Sequence, residues 1–278
     1  MTSTLFASEV LSPAIGLEIT GIDLSTQPDA ALIDGLREAF LRHHVLVIRD
    51  QSLTPAQQLA FAKHMGEPAI YPFVAGLDGF PMITPVVKEA TETVNFGGIW
   101  HSDTAYLERP PKATMLLARE VPPTGGDTLF ASQVAAYRAL SDGMKALLAP
   151  LRAVNASAKA DVTRTREDRI DKAGDSAKKS FTARHPVVRT HPETGAKALY
   201  VNRGHTIGFD GMTEVESAPL LNFLYDHQVR DEFVCRVRWR PGTLVLWDNR
   251  ACQHYPVNDY HGHRREMHRI TLEGDTPV

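Results

Sequence analysis

The sequence predicts a mainly β protein of sandwich or barrel type, a jelly roll with flanking helices. Three observations carry that expectation. After Gly66, short β-like runs separated by Gly, Pro and Asn turns dominate. Helical periodicity is confined to segments set apart from those runs, whereas a doubly wound parallel sheet needs a helix after nearly every strand. No repeat, low-complexity tract or linker divides the 278 residues, so a single domain over 1–278 is expected. At 43% hydrophobic and 23% charged residues, the chain has a globular composition and enough length to bury a core without disulfides.

The elements follow in order. The opening reads as two short strands, Gly16–Ile19 and Gly21–Leu24. An amphipathic helix is expected from Asp29 to His43, with Leu32, Leu36 and Phe40 at helical spacing. Val45–Arg49 is a short apolar run suited to a buried strand. A second helix begins at Thr54, where Thr54 and Gln57 form a capping box and Pro55 fits the first turn, and it stops at Gly66. Strands are then expected at Met82–Val87, Thr114–Arg119, Ala198–Val201, Phe233–Trp239 and Leu244–Trp247, with helices at Ser132–Leu151 and Thr213–Gln228. The charge-dense stretch Ala158–Ser180 reads as a solvated segment on composition. An insertion over 158–182 is the expected position of a lid.

Composition also excludes partners. A net charge of −3 gives no basic field for nucleic acid or an anionic membrane. The longest apolar stretches fall far short of the roughly 20 residues that cross a bilayer. MTSTLFASEVLSPAIG has neither a basic n-region nor an apolar h-region, so it is not expected to direct export. Two cysteines, Cys235 and Cys252, make no disulfide framework and suit a reducing cytoplasm. Twelve histidines make metal chemistry worth testing.

The most informative segment is Trp100-His101-Ser102-Asp103. In a strand, positions i and i+2 share a face, so His101 and Asp103 would point together. An imidazole and a carboxylate side by side are two thirds of the 2-His-1-carboxylate facial triad of non-haem Fe(II). A lone H-x-D is weak evidence, and a lone histidine is more often a hydrogen-bonded core residue. The third ligand is nevertheless available at the end of LVLWDNRACQH, where an apolar strand and a polar turn deliver His254. In RREMHRITL, strand alternation puts Arg265, Met267, Arg269 and Thr271 on one face. Two inward arginines are costly unless anions meet them, and a guanidinium fork suits a carboxylate or sulfonate. On a solvated strand they would be ordinary surface charge. Gly125-Gly126-Asp127-Thr128 fits no phosphate-loop pattern, although the Thr128 hydroxyl could meet a carboxylate.

WHSDTAYLERPP, PPTGGDTLFASQVAAYRALS, HPVVRTHPETGAKALYVN and WDNRACQHYPVNDYHGHRREMHRITLEGD together resemble the taurine dioxygenase family. This family of Fe(II)- and 2-oxoglutarate-dependent enzymes includes alkylsulfatases and aryloxyalkanoate dioxygenases. The likeness runs from about Ile15 to the C-terminus. It implies a double-stranded β-helix core, with His101, Asp103 and His254 as iron ligands and Thr128 and Arg265 on 2-oxoglutarate. Arg269 would meet the anionic group of the substrate or assist the cosubstrate, and Trp247 would pack beside the metal site. Tyr71 falls where the taurine enzymes place a tyrosine on the substrate, and His205 falls on an aromatic position of their pocket. Their substrate histidine falls on Pro68. Their asparagine four residues before the iron histidine falls on Gly97, with Asn95 close by as a substitute.

The resemblance implies hydroxylation of a small anionic organic substrate with O2 and 2-oxoglutarate. A taurine-like alkylsulfonate losing sulfite comes first, and a sulfate ester or aryloxyalkanoate second. Relatives form dimers or tetramers, so a homo-oligomer is expected. Two rivals come from other classes. A zinc hydrolase also uses two histidines and a carboxylate, but has no use for Arg265 and Thr128. A non-catalytic cupin-like binding protein would be expected to show a broken triad.

Overall fold

The computed structural model describes residues 5–71, 74–95, 97–159 and 180–278. The expected lid over 158–182 lies for its greater part, 160–179, outside the described residues. Eight strands form the large sheet: β1 (Ala7–Val10), β2 (Leu17–Thr20), β3 (Val45–Ile48), β4 (Pro68–Ala69), β5 (Ile83–Lys88), β6 (Ala113–Glu120), β14 (Leu244–Asp248) and β16 (Arg265–Leu272). A second sheet takes β7 (Thr128–Ser132) between β13 (Val234–Val237) and β15 (Cys252–Pro256). A third takes β8 (Arg152–Ala156) between β9 (Thr182–Pro186) and β12 (Thr206–Phe209). β10 (Val188–Thr190) and β11 (Lys197–Leu199) pair alone. Apart from the parallel β2–β3 pair, the ladders are antiparallel, and the sheets stay open rather than closing into a barrel.

Strand alternation gives the large sheet two different faces. On its outer face Leu46, Ile48, Met115, Leu117, Leu244 and Ile270 meet α1 (Ala30–His43) and α2 (Pro55–Met65) through Ile33, Leu36, Phe40, Phe61 and Met65. On its inner face Val45, Val47, Val245, Trp247 and Met267 pack against Phe130, Cys235, Val237 and Cys252 of the second sheet. Each fully buried side chain of this kind contributes about 1.5–3 kcal/mol. Both helices start as expected. The Asp29 side chain accepts from the Leu32 amide, and Thr54 with Gln57 forms the capping box.

β16 pairs with β6 on one side and β5 on the other. Ile270 opposes Met115 on the helix-covered face, which fixes the register. Slipping by one residue would exchange Arg265, Met267 and Arg269 for Glu266, His268 and Ile270. The three inward side chains therefore stay inward because Ile270 and Leu272 on the opposite face are committed to the core beneath the helices.

Several expectations change. The first strand is Ala7–Val10, and Gly21, at φ 78°, ends β2, leaving 21–24 as a turn in which Asp23 accepts from the Ser25 amide. The single helix expected over Ser132–Leu151 is two, α3 (Gln133–Arg138) and α4 (Asp142–Leu148). Ser141 caps α4 by accepting from the Met144 amide, and a cap residue takes extended backbone that a continuous helix cannot contain. α5 (Glu214–His227) starts at a second capping box, Thr213 with Glu216.

Candidate metal and cosubstrate site

His101 and Asp103 do not share a regular strand. His101 makes one isolated bridge to His254, each amide donating to the other's carbonyl at 3.1 and 2.9 Å, and the chain then turns through Thr104 at φ 42°. The bridge does what a strand was expected to do. It sets the two imidazoles with ring centroids 4.1 Å apart, and Asp103 stands at the start of that turn with its carboxylate near both. Asp103 Oδ1 lies 3.8 Å from His101 Nε2 and 4.0 Å from His254 Nε2, and one donor atom from each of the three lies within 4.8 Å of the others.

Local hydrogen bonds aim the donors. His101 Nδ1 lies 2.7 Å from the Ile99 carbonyl, which only accepts, so Nδ1 carries the proton and Nε2 presents a lone pair. Burial pushes the His101 and His254 pKa values below the ordinary imidazole range, which favours the neutral, ligating form. Asp103 Oδ2 accepts from the Thr114 hydroxyl at 2.6 Å, and Asn249 donates to Thr114 at 3.0 Å. Asn249 Oδ1 in turn accepts from Trp247 Nε1 and the Asp103 amide. One carboxylate oxygen is thus tied to the protein while Oδ1 faces the histidines. Burial disfavours the Asp103 charge, but the Arg269 guanidinium outweighs it, with help from His254, His101 and Thr114. The carboxyl is held well below the usual carboxylate range. Two neutral imidazoles and one anion on one side of a point leave further coordination positions open, a donor set that fits octahedral Fe(II).

Arg269 and Arg265 are both buried on the inner face. Arg269 Nη2 lies 2.9 Å from Asp103 Oδ1, its guanidinium carbon sits 4.6 Å from the Tyr71 ring centroid, and it is hydrogen-bonded to the Tyr71 hydroxyl. Its Nε has no hydrogen-bond partner. Arg265 packs 5.4 Å from the Trp239 ring, and Trp239 Nε1 donates to the Thr128 hydroxyl at 2.9 Å. Arg265 is hydrogen-bonded to Tyr260, while its Nε is buried and unpartnered. A buried guanidinium without an acid beside it fits a carboxylate ligand, as 2-oxoglutarate would supply. The triad, Thr128, Trp247, Arg265 and Arg269 line one cavity of about 60 Å³, closed by Val86, Leu116 and Pro256.

The expected substrate residues separate. Tyr71 lies against Arg269. His205 sits edge-on to His101, 5.8 Å between centroids, and its Nδ1 is buried without a partner. Burial pushes its pKa down to about 3. Asn95 is committed elsewhere. It donates to the Val257 carbonyl at 3.0 Å and accepts from the Tyr260 hydroxyl at 2.8 Å. Nor does Gly97 leave room for the family's asparagine, because a Cβ there would stand 2.8 Å from His101 Cε1. Sequence reading missed Thr114, Asn249, Trp239 and Tyr260. Only Thr114 left a local signal, a polar residue on the face of β6 that otherwise carries Leu116 and Ala118.

Comparison with known proteins agrees with this geometry. The family profile "Taurine catabolism dioxygenase TauD, TfdA family" matches residues 7–271. An alpha-ketoglutarate-dependent sulfate ester dioxygenase of Pseudomonas putida is 36% identical over 272 residues, covering 95% of this chain and 88% of that protein. The crystal structure of a taurine dioxygenase from Burkholderia xenovorans superposes with a TM-score of 0.84 at 33% identity, covering 98% of this chain and 92% of that one. A third structure, of AAD-2 with Mn(II) and N-oxalylglycine, gives 0.78 at 29% identity over 98% of both chains. The chain belongs to the TauD, TfdA family of alpha-ketoglutarate-dependent dioxygenases.

Proposed function

We propose that this chain hydroxylates a small organic anion at the carbon bearing its sulfur-oxo group, using Fe(II), 2-oxoglutarate and O2. The observation that supports it is the convergence of His101, Asp103 and His254 with Thr128, Arg265 and Arg269 on one cavity. When bound, iron and 2-oxoglutarate supply oxidation of a C–H bond at the expense of decarboxylation to succinate.

The chain's residues then do four things. His101, Asp103 and His254 hold the metal on one side and leave the other open. Arg265 and Thr128 hold the far carboxylate of the cosubstrate, which fixes its orientation before the reaction begins. Arg269, which lies beside Asp103 and the Tyr71 ring, would meet the substrate anion, with Tyr71 and His205 as its neighbours. Trp247 and Phe130, with ring centroids 4.8 and 6.0 Å from His254, keep water from that side. Asn95 holds Tyr260 in place rather than touching substrate. A homo-oligomer in the cytoplasm completes the reading, supported by two buried free thiols and the family resemblance.

An alkylsulfonate is the first reading and an alkyl sulfate ester the second. The second is favoured by a pocket of about 260 Å³ on Tyr71, where Ile70, Leu107, Pro111 and Leu272 would take an alkyl tail and Arg109 and Glu273 supply the charged part of the lining. It also suits Pro68 at the family's histidine position and the sulfate ester relative. The test is 2-oxoglutarate-dependent succinate release across sulfonates, sulfate esters and aryloxy acids, with sulfite and sulfate assayed separately. Sulfite release establishes the first reading and sulfate release the second. Turnover of aryloxy acids alone would contradict both.

A further inference from the structure

We propose that Lys88 is a second cationic contact for the distal carboxylate of 2-oxoglutarate, standing beside Arg265. The inference rests on the assignment of the Arg265 end of the cavity to the cosubstrate. In the β5–β16 ladder Lys88 lies directly opposite Arg265, Val86 opposite Met267, and Thr84 opposite Arg269. Directly opposed residues project to the same face of a sheet, so Lys88 shares the inner face with Arg265. Val86, two residues before it, lines the cavity.

The Lys88 side chain is 3% exposed, and its ammonium is shielded from solvent with no hydrogen-bond partner. The nitrogen sits 4.4 Å from the Tyr260 ring centroid, and the hydroxyl of that tyrosine is engaged by Arg265 and Asn95. Two buried cations therefore meet one tyrosine, Lys88 at its ring face and Arg265 at its hydroxyl. Neither forms an ion pair among the described residues.

Like charges directly opposite in a ladder repel, and a buried ammonium without a counter-ion is costly. The ring face recovers only part of that cost. A carboxylate placed between the two cations removes both penalties together. Arg265 would offer its planar fork and Lys88 a point charge, two geometries that one carboxylate accepts at its two oxygens. Such an end selects for the second carboxylate of the cosubstrate over the rest of its chain.

The experiment compares 2-oxoglutarate with 2-oxopentanoate, which has the same carbon chain without the distal carboxylate. Dissociation constants are measured by calorimetry on anaerobic Mn(II)-loaded protein for the wild type, Lys88→Met, Lys88→Gln and Lys88→Arg. Losing one charge-assisted contact should weaken 2-oxoglutarate about 10- to 100-fold in both neutral variants. Binding of 2-oxopentanoate should stay within about twofold, Lys88→Arg should restore most of the loss, and the metal-free Tm of Lys88→Met should not fall. Equal weakening of both acids with a lowered Tm would make Lys88 a support for Tyr260 and overturn the proposal. Unchanged binding of both acids would overturn it too. A wild type that binds metal but no 2-oxoglutarate would sink the proposed function as well, whereas wild-type binding indifferent to the variants removes Lys88 alone.

Discussion

Two buried polar clusters, one built on Asp248 and Arg250 and the other around the metal triad, differ in completeness. At the first, both Asp248 oxygens are occupied. Oδ1 accepts from the Arg250 amide and Nε, and Oδ2 accepts from Arg250 Nη2 and His191 Nε2 at 2.8 and 2.9 Å. Arg250 also reaches Glu193 at 2.5 Å, and His191 Nδ1 accepts from the Glu193 and Thr194 amides. At the second, Arg265, Arg269, Lys88, His205 and His254 each leave at least one buried nitrogen without a partner. A closed network of charges specifies and holds a fold, whereas an open one with convergent donors waits for a ligand. The same residue types thus serve structure in one place and chemistry in the other.

The largest effect is expected from emptying a metal position. Asp103→Ala should abolish metal binding and reduce turnover to background while the protein stays folded, as circular dichroism and metal analysis would report. Retained stoichiometric metal would break the contrast at once. Asp248→Ala is the mirror experiment. It strands Arg250 in the interior and should cost about 3–5 kcal/mol in urea unfolding. A loss well below that would mean the closed cluster is not what holds the turn.

His44, with its carbonyl accepting the Asp248 amide, tests the same region by pH. Burial pushes its pKa down to about 4, so at pH 5 the folded state keeps it neutral while the unfolded chain binds a proton. Its contribution is complete above pH 6.5 and is lost as pH falls toward 4, to at most about 3 kcal/mol. His44 sits at φ 61°, a backbone that asparagine tolerates, so His44→Asn should flatten this part of the stability profile. An unchanged slope would assign it to the other buried histidines. The smallest effect is expected from Thr114→Val, which frees Asp103 Oδ2 without touching a ligand. Metal affinity should fall about 10- to 100-fold, and unfolding free energy by about 1–3 kcal/mol, because Asp103 Oδ2 and Asn249 Nδ2 both lose a buried partner.

What could be read in advance follows from the range of the forces involved. Capping boxes at Thr54 and Thr213 and the alternation that turns Arg265 and Arg269 inward are local, and the sequence displays them directly. The spacing of His101, Asp103 and His254 was also visible, but not the means. An isolated bridge and a left-handed turn bring them together, and those depend on a partner 153 residues away. Lys88 and Asp248 were hidden for the same reason. VVKEA reads as a strand running out to solvent, and nothing near Asp248 announces His191. The break between α3 and α4 was legible in principle, since Ser141 is a cap residue, yet the surrounding apolar periodicity masked it.

The most direct test of the account is an anaerobic titration of metal-free protein with Fe(II) and then 2-oxoglutarate, followed by visible absorption. The account predicts the weak charge-transfer band of a keto acid chelated to iron in the wild type, and none in Asp103→Ala. Folded wild-type protein that binds iron stoichiometrically yet shows no band would contradict the assignment of Arg265 and Thr128 to the cosubstrate. The open cluster would then need a different ligand.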